Sequence, residues 1–292
     1  MRLSRRSLLF GAVPLPGSPA SGRFAICSET FAGMSFADAC KAARRSGYDG
    51  IEIEPAHVSP DPAALPSERR QEIRRIIEDE GLTAVGLHSF LKAPPGLHLT
   101  TGNAAVRKRS WEYFARLIDL AADLGSTPVM VLGSSKQRAA TDGTTPVHAV
   151  GRLKEGLAAM APVAERRNVS ILMEPLAPHL CNVVNTLAEA MDVVNAVSSP
   201  AIQTMFDTHN TAAETMPPDA LIREYMPHIR HVHLNEMDGR RPGAGNFPFG
   251  AVLRALKQAG YRGWLSVEVF DFKPDGETVA RLARDYLRSV EA

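Results

Sequence analysis

Cysteine is scarce in this chain of 292 residues. The three thiols, Cys27, Cys40 and Cys181, lie far apart and form no C-x-x-C pair. A disulfide framework and a zinc knuckle are therefore both excluded as organising devices. Net charge is nearly absent too, at +1, so no global field recruits nucleic acid or an anionic membrane surface. No apolar run reaches the roughly 18 residues that a membrane-spanning helix needs. Glycine-rich phosphate loops are also missing. The segment after the first strand candidate reads Cys27-Ser28-Glu29-Thr30, with neither G-x-G-x-x-G nor a P-loop. An open nucleotide-binding sheet usually carries such a loop at that position.

What is present is an ordinary globular composition, 45% hydrophobic and 22% charged, in a chain long enough to bury a large core. From Phe24 onward, short β-branched runs alternate with stretches of 3.6-residue periodicity. The strands are expected at 24–30, 50–54, 84–88, 129–133, 170–174, 202–207, 229–234 and 264–270. Helices are expected at 36–46, around 72–79, from a cap at Asn103 to Leu124, and at 147–166, 187–197, 219–225, 249–259 and 278–290. Ser35 is the expected N-cap of the first helix. Eight βα units with no hairpin and no dividing linker predict an α/β fold, a single-domain (β/α)8 TIM barrel over residues 23–292. The longest irregular insert is 92–102.

The first 22 residues have a different texture. Met1-Arg2-Leu3-Ser4-Arg5-Arg6 is basic, Ser7 to Val13 is apolar, and a Pro/Gly/Ser/Ala stretch follows. Ser4-Arg5-Arg6-Ser7-Leu8-Leu9 resembles a twin-arginine export signal, which implies a folded protein carried to the periplasm and no membrane attachment afterwards. The alternative is a disordered basic tail on a cytoplasmic protein.

Barrel enzymes place their chemistry at the C-terminal ends of the strands. The last four strands each run apolar and then present one group able to bind a metal: Glu174, Asp207, His233 and Glu268. A single acid ending a strand is commonly a cap or a solvated loop residue. Four in succession are harder to explain so, because buried acids need a cation or a donor. Three carboxylates and an imidazole suit Mn²⁺ first, with Mg²⁺, Co²⁺ or Zn²⁺ as alternatives.

Further candidates sit at the other strand ends. His88 and Glu54 are expected either to contact substrate or to pack. His231 is expected to lie one layer below His233. Lys136, Gln137 and Arg138 are read either as contacts to an anionic or polyol substrate or as a solvated loop. Phe247, Phe249 and Phe270 are candidates to stack on a sugar ring, whereas Trp111, Tyr113 and Phe114 are expected to pack.

The four ligand candidates, 33, 26 and 35 residues apart, resemble the xylose isomerase-like TIM-barrel superfamily. So do Met173-Glu174-Pro175-Leu176, Phe206-Asp207-Thr208-His209, His231-Val232-His233, Val267-Glu268-Val269-Phe270 and Arg241-Pro242-Gly243-Ala244-Gly245. The similar branch is the sugar and keto-sugar isomerases and epimerases, including ketose 3-epimerases and hydroxypyruvate isomerase. The resemblance implies one divalent metal held by Glu174, Asp207, His233 and Glu268, with Glu174 and Glu268 as the acid/base pair. The implied reaction is proton abstraction beside a carbonyl through an enediolate, on a small-molecule sugar or keto-sugar. A homo-oligomer would also fit.

Three positions depart from the branch. Asn210 stands where a histidine is usual three residues after the strand-six acid, with His209 beside it. Leu180 replaces a glutamate, with His179 and Asn182 nearby. Gly239 replaces an arginine, with Arg240 and Arg241 following. His209, Asn210 and Arg240 are therefore carried as substrate-binding candidates. The same site could also serve a lyase that cleaves 3-keto-glycosides by β-elimination. An apurinic endonuclease lacks its basic footprint here, and a non-catalytic sugar-binding barrel would not require an intact ligand set.

Overall fold

The computed structural model describes residues 22–291, so the export-signal reading lies outside the described residues except for Gly22. Eight parallel strands close into one barrel in chain order. They are β1 Arg23–Cys27, β2 Gly50–Ile53, β3 Thr83–His88, β4 Val129–Leu132, β5 Ser170–Met173, β6 Ile202–Asp207, β7 Ile229–Leu234 and β8 Trp264–Val267. β8 closes the ring on β1, with Ile26 opposite Val267.

The helices are α1 Phe36–Arg45, α2 Ser67–Asp79, α3 Ala104–Leu124, α4 Ser135–Arg138, α5 Pro146–Arg167, α6 Leu187–Val197, α7 Pro218–Tyr225, α8 Phe249–Gln258 and α9 Gly276–Val290. Ser35 Oγ accepts from Asp38 N at 3.1 Å, and Asn103 Oδ1 accepts from Ala105 N and Val106 N. Each satisfies amides that open a helix. None of the described helices is long and apolar enough to cross a membrane.

Two strand ends differ from expectation by more than one residue. β1 stops at Cys27, and Ser28–Phe31 coils into a 3-10 turn. The Ser28 hydroxyl accepts from Glu54 N there, in place of continued strand pairing. β8 stops at Val267, so Glu268 and Phe270 belong to the loop that follows. The short helix α4 is an additional element among the helices.

The barrel has two cores. The larger lies between strands and helices and takes in Phe114, Tyr113, Phe249 and the apolar face of α9, with Trp111 packed against it. The smaller fills the lumen with Ala25, Val85, Val129, Val131, Leu172 and Met205, with Trp264 against them. Side chains alternate across a strand. The lumen positions two residues further along are therefore Cys27, Gly133, Glu174, Asp207 and Ser266. The polar layer of the barrel begins where its apolar plug ends.

Candidate metal centre

Glu174, Asp207, His233 and Glu268 each offer one ligand atom, and these atoms all lie within 4.8 Å of one another. Register explains the meeting. Asp207 pairs with His233 across β6 and β7, and His233 pairs with Ser266, two residues before Glu268. All four side chains are buried, the most exposed being Glu268 at 5%. Water therefore does little to spread their charge.

The imidazole of His233 is held from behind. Its Nε2 lies 3.1 and 3.2 Å from the two oxygens of Glu52. Its Nδ1 faces the acids, 3.1 Å from Glu268 Oε2 and 3.9 Å from Glu174 Oε1, yet it has no hydrogen-bond partner. A carboxylate behind the ring places the proton on Nε2 and frees Nδ1 as a donor atom. Burial lowers the ring's affinity for a second proton, but Glu52 and Glu268 outweigh it and raise its pKa well above the ordinary value. The site attracts positive charge strongly.

The carboxylates show the same demand. Burial, then the charges of Glu268 and Asp207, push Glu174 well above the usual carboxylate range. Burial and Glu268 raise Asp207. Burial also acts to raise Glu268, but His233 and His88 together hold it below its usual value. Among the described residues no lysine or arginine forms an ion pair with the four. An orphaned imidazole nitrogen among three crowded carboxylates fits a divalent cation, and the donor set of three oxygens and one nitrogen fits a hard ion.

The flanking residues fix this arrangement. Asn210 Nδ2 donates to Asp207 Oδ2 at 2.6 Å and lies 3.4 Å from Glu174 Oε1, while its Oδ1 accepts from Ala177 N. His209 N donates to Asp207 Oδ1 at 2.8 Å, and its Nδ1 meets Glu236 O. His88 is 1% exposed, with Nδ1 3.1 Å from Glu268 Oε1. Glu54 is half-buried and carries Lys92 at 2.9 Å. Arg240 and Lys136 stand outside the cluster. Arg240 is exposed and paired with Asp238, and Lys136 is exposed on α4.

Of the three phenylalanines, Phe249 is fully buried as the first residue of α8, and Phe247 packs partly buried against it. Phe270 alone stands open, at 50% exposure, with its ring 5.2 Å from that of His209. Leu180 and Met237 are exposed in neighbouring loops.

Glu52 emerges only from the structure, and Arg138 takes a buried place that neither sequence reading gave it. Glu52 is wholly enclosed in β2 and joins His231, at 2.8 Å, to His233. Burial disfavours its charge, but the two imidazoles outweigh this and hold it well below the usual range. The signal in the sequence was an acid flanked by Ile51 and Ile53 within a strand, at the same alternation as Glu54. Arg138, read as a loop or substrate residue, is fully buried, and its Nη2 donates to the Glu174 carbonyl at 2.7 Å. Cys27 lies close to Glu52 and His233, but burial and nearby Glu52 and Glu268 push its thiol up, so it is poorly suited to bind metal as a thiolate.

Comparison with known proteins agrees with this architecture. The chain is 25% identical over 262 residues to a fructoselysine 3-epimerase of Shigella flexneri, covering 86% of this chain and 92% of that one. It is 27% identical over 228 residues to a D-psicose 3-epimerase of Agrobacterium fabrum, covering 77% and 75%. The crystal structure of a D-psicose 3-epimerase with D-tagatose, from Clostridium cellulolyticum H10, superposes with a TM-score of 0.79 at 20% identity, over 92% of this chain and 99% of that one. Residues 40–290 match the family described as xylose isomerase-like TIM barrel, and the chain belongs to that family.

Proposed function

We propose that this protein is a divalent-metal-dependent keto-sugar isomerase or epimerase that moves a proton on the carbon beside a carbonyl. The observation that carries the reading is the convergence of three buried carboxylates on a buried imidazole nitrogen that has no partner of its own. Glu174, Asp207, His233 and Glu268 would hold the ion. Mn²⁺ suits the donor set best, with Mg²⁺, Co²⁺ and Zn²⁺ as the alternatives a metal assay decides among. A bound ion would supply Lewis acidity that acidifies the C–H on the hydroxyl-bearing carbon beside the substrate carbonyl.

The chain supplies the proton transfers. Glu174 and Glu268 stand at the two ends of the four-strand row, so a carbon held between them meets one carboxylate on each face. One removes the proton to give an enediolate, and the other returns a proton to the far face, which inverts the centre. Each positioned acid or base contributes about 10²–10⁴-fold. His88 fixes one oxygen of Glu268, and Asn210 fixes Asp207 and lies close to Glu174. The open ring of Phe270 offers an apolar wall for a sugar face. The two curated relatives are both named 3-epimerases, which supports a keto-sugar substrate and inversion beside the carbonyl.

The test is product analysis by ¹³C NMR of the Mn²⁺-loaded protein with ketohexoses and 3-keto-glucosides. A new epimer supports the proposal. Release of a free sugar assigns β-elimination instead, and no change in any substrate removes the enzymatic reading. We further propose export to the periplasm, on the strength of Ser4 to Leu9.

A further inference from the structure

A second charged group lies across the barrel mouth from the proposed ligands. Glu29 follows β1, Glu54 follows β2, and Lys92 sits in the loop after β3. Lys92 Nζ lies 3.1 Å from Glu29 Oε2 and 2.9 Å from Glu54 Oε1. Glu29 is nearly enclosed, whereas the lysine side chain is 47% exposed. The group borders the metal centre: β1, which Glu29 follows, pairs with β8, and Cys27 Sγ, two residues before Glu29, lies within 4.8 Å of a ring nitrogen of His88 and a carboxylate oxygen of Glu268.

His88 links the two. Its Nδ1 is committed to Glu268, and its Nε2 is buried with no hydrogen-bond partner. A buried polar atom left unpaired is costly. His88 ends β3, the strand whose following loop carries Lys92, and is bonded to Glu268, so the unpaired nitrogen belongs to the polar surface that joins the two groups.

The charges indicate what that is. Lys92 has three N–H groups and spends two on the glutamates, which leaves one. Glu29 Oε1 and Glu54 Oε2 accept no hydrogen bond among the described residues. A cationic ligand would have to displace Lys92 from both acids, and an anionic one would face two carboxylates. A hydroxyl can accept from the remaining ammonium N–H while donating to a free carboxylate oxygen, and two vicinal hydroxyls can do so together. We propose that Glu29, Glu54 and Lys92 bind vicinal hydroxyls on the part of the substrate remote from the reacting carbons. The substrate is then a keto-sugar bearing a further hydroxylated group, a glycoside in place of a free ketotriose or ketotetrose. The reacting end of this substrate rests on the function proposed above.

The test compares wild-type, Lys92→Met and Glu54→Gln proteins, all loaded with Mn²⁺. The probes are cellobiose with a 3-keto group on its non-reducing ring and methyl 3-keto-β-glucoside, which lacks the second ring. Solvent deuterium exchange is expected to favour the disaccharide in the wild type, and Lys92→Met to lower the ratio of the two kcat/KM values at least tenfold. Lys92→Arg should restore most of that ratio. A ratio unchanged by both Lys92→Met and Glu54→Gln overturns the subsite. Calorimetric titration with unoxidised cellobiose reads the subsite without chemistry. Binding that weakens at least fivefold in Lys92→Met, with no exchange in any keto-sugar, leaves the subsite standing and removes the enolisation. Absence of Lys92-sensitive binding overturns the subsite whether or not exchange occurs.

Discussion

Gly133→Ala separates the ligand geometry from the stability of the fold. Gly133 follows β4 and faces the lumen beside Glu174. A methyl group on its α-carbon would overlap Glu174 Oε2 and lie 2.9 Å from Glu174 Cδ. Glu174 is the movable partner, because its carboxylate is the far end of a side chain. To restore van der Waals contact it must withdraw by about 1 Å or more, a misplacement that costs on the order of 10²-fold in rate. That is about 2.7 kcal/mol of transition-state stabilisation. The fold should lose little, since alanine at a compatible position gains about 0.4–1 kcal/mol from the unfolded chain and offsets the adjustment. The assays are kcat/KM for keto-sugar exchange, Mn²⁺ affinity by calorimetry, and the thermal midpoint. A large loss of rate and affinity is expected, with the midpoint of the metal-free protein unchanged within about 2 °C. Activity within threefold of the wild type would refute the placement of Glu174.

Glu52→Gln removes the charge behind His233 and should weaken Mn²⁺ binding by about 10–100-fold, measured by calorimetry. Glu268→Gln should lower kcat by about 10²–10⁴-fold while substrate-dependent protection from thermal unfolding persists. Mn²⁺ at 100 times its Kd should raise the stability of chelator-treated protein by about 2.7 kcal/mol, read from denaturant unfolding, and Asp207→Asn should reduce that gain. Replacing Arg5 and Arg6 by lysine should hold the protein in the cytoplasm, as seen by fractionation, if the terminal segment is an export signal.

Much of the barrel was legible because the lumen of a parallel barrel repeats one pattern on every strand. Runs such as Ile171-Leu172-Met173 and Met205-Phe206 are apolar until they reach the mouth, and the acid that follows each is then conspicuous. The layer beneath was harder to see. Glu52 lies inside a strand, and only the closed ring brings it to His231 and His233, which are 179 and 181 residues distant. Arg138 had the look of a surface residue beside Lys136 and Gln137. The turn of α4 buries it against the Glu174 carbonyl, and no periodicity in four residues signals that. Phe249, expected to open a helix, was also a candidate to stack on a sugar ring near the mouth. Being first in α8, it turns instead into the helical core. Asn210, a departure from the related branch, ties Asp207 and lies beside Glu174 in this chain.

Solvent deuterium incorporation tests the central claim most directly. In D₂O, metal-loaded protein should place one deuterium on the carbon beside the carbonyl of a keto-sugar substrate. The exchange should disappear on chelation, return with Mn²⁺, and be lost in both Glu174→Gln and Glu268→Gln. Exchange that survives metal removal or either substitution would contradict the account, as would its absence across ketoses and keto-glycosides alike.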